Sequence, residues 1–438
     1  MSLTTFSSTG RELHSDRPVP RARSAALLIV ACLCITVPTL RAQDDVPRLT
    51  PEQFPLLAWN VARGNPAVFV RMWDCGFNLA GFVPIQDLDA VAAAGLKCFV
   101  HDPSIPVRYE ATLPESHINE HVAAYTGRAG SHPAVFGYFL ADEPSAQAFP
   151  TLAKWAKAFR AVAPNQLPYV NLFPNYASIE QLGTENYARY IESFIRMTEL
   201  PYISYDHYAL MEDGSLRDGY FANLELVRKA ALRHNIGFWN VVMSTACLNY
   251  AEPCEAGLRF QAYTTLAYGA RGLSWFTYFT PTIGNFRHGP IDQFGQETPT
   301  WSMLRRVNLQ IHRLGPTYLT LRSIGVFHHP NIPEGCEGIS VSRHVAELTG
   351  GDLLVGELED PLGRPFVILV NKDLRRSTPF TIRFRSPGAV WQVSAYTGQP
   401  APLAGEQAWL APGQGMMLML EPAPQSMPAA ETKRGARK

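Results

Sequence analysis

The sequence predicts an α/β protein, a TIM (β/α)8 barrel followed by a C-terminal antiparallel β-sandwich. Three observations predict it. Between Pro55 and Pro316, short apolar runs alternate eight times with longer amphipathic stretches over roughly 260 residues, the size of one such barrel. No Gly-rich phosphate loop follows the first apolar run, which sets aside a doubly wound open sheet. After Gly315 the helical period stops, and short extended segments separated by turn residues take over.

Taken in order, the apolar runs predict strands over 56–60, 77–83, 96–102, 135–142, 168–173, 202–208, 237–243 and 272–278. The amphipathic stretches between and after them predict helices over 66–75, 85–94, 116–129, 147–163, 184–199, 216–234, 255–270 and 301–314. Extended segments are predicted at 338–342, 352–357, 365–370, 380–384, 391–396 and 415–420. The domain plan is an export signal over 1–42, a barrel over 43–318, a sandwich over 319–422 and a disordered tail over 423–438. That tail is rich in Pro and Ala and ends in basic residues.

The signal rests on Arg21 and Arg23, which precede the apolar run from Ser24 to Leu40, with small Ala42 at a cleavage point. The run is short for a bilayer and carries Pro38, so no stable membrane span is expected. Ile29-Val30-Ala31-Cys32 also resembles a lipobox, but the apolar run continues past Cys32, which favours simple export to the periplasm or medium. Cleavage there removes five arginines and two acidic residues, leaving 33 basic against 36 acidic. Such a chain has no basic field for nucleic acid. Cys247 and Cys254 flank a short loop and are candidates for a disulfide, whereas Cys75, Cys98 and Cys336 read as separate buried thiols. No Cys or His spacing suggests a metal, and no cofactor is expected. Oligomeric state is not legible.

In a barrel of this kind, chemistry gathers where the strands end. The endings here are Trp59 and Asn60, His101 and Asp102, Asp142 and Glu143, Asn171, Asp206 with His207 and Tyr208, Asn240 with Ser244, and Trp275 with Tyr278. Amides, carboxylates, a histidine and rings suit a polyhydroxylated ligand, because hydroxyls need mixed donors and acceptors and sugar faces stack on rings. No Lys or Arg cluster marks these endings, which argues against phosphorylated substrates.

The most informative stretch is Tyr138 to Ser145, where an apolar run stops at Asp142 and Glu143 and Pro144 opens a helical segment. Glu143 is the candidate general acid, since a carboxyl among aromatic neighbours holds its proton nearer neutrality. The structural alternative is that Asp142 caps the following helix and Glu143 favours its dipole. Asp206 is the candidate second carboxylate, with a hydrogen-bonding turn role as its alternative. Asn60, His101, Asp142, Asn171, Tyr208, Asn240 and Trp275 are the candidate substrate-binding residues. Trp275 can also be read as barrel filling. His101, Asp102 and His207 form a weaker metal reading, with rim hydrogen bonding as the simpler one.

The stretch Gly137-Tyr138-Phe139-Leu140-Ala141-Asp142-Glu143-Pro144 resembles the large retaining clan of (β/α)8 glycoside hydrolases that includes family 42 β-galactosidase-like proteins. Such proteins usually carry Asn-Glu-Pro at this place, so the resemblance implies Glu143 as acid/base, with Asp142 as a departure. It also implies sugar stacking for Trp275 and an accessory role for the sandwich. The clan's nucleophile is a Glu ending strand seven, whereas this chain reads Phe238-Trp239-Asn240-Val241-Val242-Met243-Ser244. Three routes then follow: Asp206 as base toward water, Asp206 as nucleophile, or a substrate-assisted route resembling that of hexosaminidases. The first two predict carboxyl separations of about 6.5–9.5 Å and about 5–5.5 Å. The expected activity is hydrolysis of O-glycosidic bonds in a carbohydrate. A non-catalytic carbohydrate-binding barrel is the rival from another class.

Overall fold

The computed structural model describes residues 53–60, 65–103, 107–108, 112–403 and 408–422. The expected signal segment and the tail lie outside the described residues.

The barrel half runs β1 (Leu56–Ala58), α1 (Pro66–Asp74), β2 (Leu79–Val83), α2 (Leu88–Ala93), β3 (Lys97–Val100), α3 (Glu115–Ala129), β4 (Val135–Asp142) and α4 (Phe149–Val162). It continues with β5 (Leu167–Asn171), α5 (Ile179–Leu182), α6 (Tyr187–Thr198), β6 (Tyr202–Asp206), α7 (Tyr220–His234), β7 (Gly237–Met243), α8 (Glu255–Ala267), β8 (Gly272–Phe276) and α9 (Pro299–Tyr318). All eight strands lie in one sheet in the order β5-β4-β3-β2-β1-β8-β7-β6, with parallel pairing in each register. The ring closes between β5 and β6, where Leu172 bridges Tyr205 and the Leu172 N–H donates to Ser204 O at 2.8 Å.

Side chains alternate across a strand, so one parity fills the lumen and the other meets the helices. The lumen is aromatic. Phe82, Phe99, Phe139, Tyr169 and Trp239 come from five different strands and interlock, with Phe82 to Phe139 at 4.1 Å and Phe99 to Tyr169 at 4.5 Å between ring centroids. Gly272 on β8 makes this possible, since a Cβ there would stand 2.3 Å from the Trp239 ring.

The sandwich half runs β9 (Arg322–His329), β10 (Glu337–Gly338), β11 (Val345–Gly350), β12 (Leu353–Glu359), β13 (Pro365–Asn371), β14 (Thr378–Phe384), β15 (Gly388–Val393), β16 (Pro400–Pro402), β17 (Ala408–Leu410) and β18 (Gly415–Pro422). Seven strands form one sheet, β10-β9-β12-β13-β18-β15-β16, and three form the other, β11-β14-β17. Pairing is antiparallel except between β9 and β10.

The central strands of the larger sheet, β12, β13 and β18, are buried on both faces. Val367, Leu369 and Leu418 join Val345, Phe380 and Leu410 inside the sandwich. Phe366, Ile368 and Met417, of opposite parity, join the barrel core beside Leu258, Tyr263 and Ala267 of α8. That is why α8 has no wide polar face: every residue from Phe260 to Ala267 is buried. Barrel and sandwich therefore make one compact unit.

The helix expected over 184–199 forms as α6, capped by Asn186, and the short α5 before it, which was not expected, ends at Gly183 in the left-handed region (φ 67°). Three other local expectations fail. The extended segment expected at 338–342 is mostly a 3-10 turn. Beyond it, the N–H groups of Arg343, His344 and Val345 converge on the buried Glu357 carboxylate. Cys247 and Cys254 are both free thiols, and Cys254 instead caps α8, its sulfur accepting from Gly257 N. Cys336, expected to be buried, is half-buried. Among the described residues no helix is long and apolar enough to cross a membrane.

The two halves approach closely at Gly356, where a Cβ would lie 2.1 Å from the Ala267 carbonyl oxygen. Gly356→Ala is expected to cost about 1–3 kcal/mol, read as a lower midpoint in denaturant unfolding. A neutral result would show that β12 and α8 separate without cost.

Candidate active site

β4 is bulged near its end, where the register with β5 steps from Phe139–Tyr169 to Ala141–Val170 and Asp142–Asn171. Glu143 follows in the left-handed region (φ 46°), a conformation that costs a non-glycine residue about 1 kcal/mol or more. Its N–H is held by Asn171 O at 2.8 Å. Neither carboxylate caps a helix. The next turn starts at Ser145 and α4 is entered through Ala148, both without a side-chain cap.

Lumen parity on β5 and β6 aligns Tyr169 with Asn171 and Ser204 with Asp206. These residues are bonded in series. Asn171 Nδ2 donates to Asp142 Oδ1 at 3.1 Å and to Asp206 Oδ1 at 3.0 Å, while its Oδ1 accepts from Ser204 Oγ at 3.0 Å. Since Ser204 donates its only proton to Asn171, the 2.8 Å contact with Tyr169 must be donated by the Tyr169 hydroxyl.

Glu143 and Asp206 are in hydrogen-bonding reach of one another. Their environments differ. Asp206 is only 3% exposed, whereas Asp142 and Glu143 reach solvent at the mouth. Burial, then the neighbouring Asp142 charge, pushes Glu143 up to about 7, with the Asp206 hydrogen bond acting the other way. Burial, then Glu143 and Asp142, raises Asp206 well above the carboxylate range. Burial raises Asp142 too, opposed by Asn171. Both shifts point to a neutral Asp206 donating to a Glu143 that titrates near neutrality.

The other expected residues divide. Tyr208 belongs to the mouth, half-buried, with its ring 5.7 Å from Tyr250 and 5.5 Å from Phe276. His101 sits at the rim, edge-on to Phe139 at 5.3 Å, and Asn60 is exposed beyond β1 with φ 55°. Asn240 and Trp275 have the wrong parity. The Asn240 amide donates to Thr265 of α8 at 2.9 Å, and the Trp275 indole donates to Asn308 of α9 at 3.0 Å. Both are fully buried behind the sheet, so neither faces a ligand. The ring on the inner face of β8 is Phe276, which packs on Trp59 and Tyr208. Asp102 turns to Arg128 at 3.3 Å, and His207 packs on Tyr176 with its Nδ1 3.1 Å from Asn223. Among the described residues no group of three His, Cys, Asp or Glu can hold a metal ion.

The sequence reading missed Tyr176, Arg217, Tyr250 and Phe286. They come from loops after β5, β6, β7 and β8, which carry no periodic signal.

No protein-family model matches the chain, and comparison with curated proteins gives no match. Solved structures do resemble it. A glycoside hydrolase family 5 protein from Bacteroides vulgatus aligns with TM-score 0.53 at 13% identity, covering 84% of this chain and 89% of that one. A second structure, described only as a glycoside hydrolase, aligns with TM-score 0.52 at 12% identity over 84% and 92%. A β-galactosidase from the psychrophilic Marinomonas ef1 aligns with TM-score 0.46 at 12% identity, and this chain spans 62% of its length. At such identities the likeness is one of fold.

Two outcomes test the acid cluster. Glu143 binds its proton more tightly folded (about 7) than unfolded (usual value 4.5), so it lowers stability as pH rises between those values. Glu143→Gln is therefore expected to raise the melting midpoint at pH 8 and leave it nearly unchanged at pH 4. Calorimetry at both values checks the sign. Asp206→Asn keeps a donor to Glu143, whereas Asp206→Leu removes it. Only the leucine variant is expected to move the Glu143 titration, followed by carboxyl NMR, to higher pH.

Proposed function

We propose that the protein is a glycoside hydrolase that cleaves an O-glycosidic bond with Glu143 as general acid. The observation that carries this reading is a solvent-reached carboxyl at the barrel mouth, held in a strained backbone turn and titrating near neutrality. A donor of this kind delivers a proton to a departing glycosidic oxygen at physiological pH. The shared fold of two solved glycoside hydrolases supports the reading.

The roles of the other two acids follow from burial. Asp206 was expected as base or nucleophile at about 5 Å or more from its partner. It instead stands within hydrogen-bonding reach of Glu143 and is screened from solvent, an arrangement that suits neither role. In this reading Asp206 is a positioning residue that hydrogen-bonds Glu143 and sets its proton affinity. Asp142, exposed and held by Asn171, is the carboxylate that faces the ligand.

The same contact favours a substrate-assisted second reading. An acetamido oxygen attacks the anomeric carbon, Asp142 accepts the acetamido N–H, and Glu143 protonates the leaving oxygen, then takes a proton from water. The absence of a carboxylate on β7, which ends in Met243, is consistent with it. Export to the periplasm or medium is part of the proposal and rests on residues 1–42 alone.

Hydrolysis of a panel of aryl glycosides and polysaccharides, run beside Glu143→Gln, tests the assignment. The variant is expected to lose about 10²–10⁴-fold in kcat. Hydrolysis that survives it unchanged removes Glu143 from the mechanism. Retained saccharide affinity with no hydrolysis by the parent protein leaves a binding barrel. Matched 2-acetamido and 2-hydroxy glycosides separate the two routes.

A further inference from the structure

Arg217 is a cation at the mouth that the acid–base chemistry does not use. It lies in the loop between β6 and α7, half-buried, with its guanidinium carbon 4.4 Å from the Tyr176 ring centroid and 5.2 Å from that of Tyr250. One Nη donates to the Tyr250 hydroxyl at 3.0 Å. Nε is screened from water with no hydrogen-bond partner, and the residue makes no ion pair among the described residues. A guanidinium held between rings, partly dehydrated and without a counter-ion, is a site of unspent positive charge.

The same rings reach the acid cluster. Tyr176 feels the charge of both Asp206 and Arg217 and packs edge-on against His207 at 5.0 Å. Tyr250 packs against Tyr208, which in turn feels Asp206, Asp142 and Glu143. Three loops thus hold one arginine against tyrosines that feel the acids themselves or whose ring neighbours do. A neutral sugar would leave that charge unanswered. An oxyanion would meet planar N–H donors of matching geometry.

We propose that the saccharide taken at this mouth is anionic, with a carboxylate or sulfate that pairs with Arg217. This rests on the mouth being the hydrolytic site proposed above. The acid cluster permits it, because protons held on Asp206 and Glu143 reduce the negative charge the ligand meets. Arg217 is then a specificity-determining residue, and the ligand oxyanion answers its charge.

The test uses full-length Glu143→Gln protein as a binding probe with matched saccharides. One pair is oligogalacturonate and its carboxyl-reduced counterpart. The other is a sulfated galactan oligosaccharide and its desulfated product. The expected result is at least about tenfold tighter binding of the anionic member of one pair, with the pair identifying carboxylate or sulfate. Arg217→Gln in the same background loses that preference, and Arg217→Lys restores part of it. Raising salt from about 20 mM to about 500 mM weakens only the anionic member, a measurement that needs no Arg217 variant. A merely structural clamp on Tyr250 predicts equal losses for both members. Equal binding within both pairs, no binding to any member, or a preference that survives Arg217→Gln overturns the inference. Glu143-dependent hydrolysis confined to neutral glycans also overturns it and leaves the hydrolase reading standing. Hydrolysis indifferent to Glu143→Gln sinks that reading separately.

Discussion

One side-chain amide holds the mouth together. Asn171 gives its Nδ2 protons to two carboxyls and takes a proton from Ser204, which is itself served by Tyr169. The direction of every bond is fixed by that series. A rotated amide would set its oxygen against two carboxyl oxygens. Three acids can stand together because this amide, only 2% exposed, cannot turn.

Crowding alone would not give the acids different jobs. Burial does. Asp206 lies beneath the surface and Glu143 at it, so mutual repulsion and loss of water act unequally on them. The inner acid keeps its proton, and the outer one exchanges with solvent in the neutral range. The left-handed backbone at Glu143 keeps that side chain at the boundary.

The barrel and the bounds of β4 and β7 were legible because buried parallel strands read as apolar runs. Asp142, Glu143 and Asp206 were legible for the same reason, since each closes such a run. Asn240 and Trp275 were misassigned because nearness to a strand end was counted without parity. Trp239 belongs to the lumen, which turns Asn240 outward, and Trp275 stands opposite Val242 on the helix-facing side. Arg217, Tyr176 and Tyr250 meet only through three separate loops, and no spacing in one dimension encodes that meeting. The free thiols of Cys247 and Cys254 teach the same lesson, since proximity along a loop did not orient the sulfurs toward each other.

The covering of α8 by the larger sandwich sheet has a consequence for how the chain comes into being. A ribosome releases this helix well before the strands at 353–359, 365–371 and 415–422 that shield it. Until they arrive, the nascent barrel presents Leu258, Tyr263 and their neighbours as an oily seam, the kind of surface that invites chaperones or self-association. The downstream sheet is thus part of the barrel's own maturation, and a gene cut at the apparent boundary would deliver an unfinished barrel rather than a smaller one.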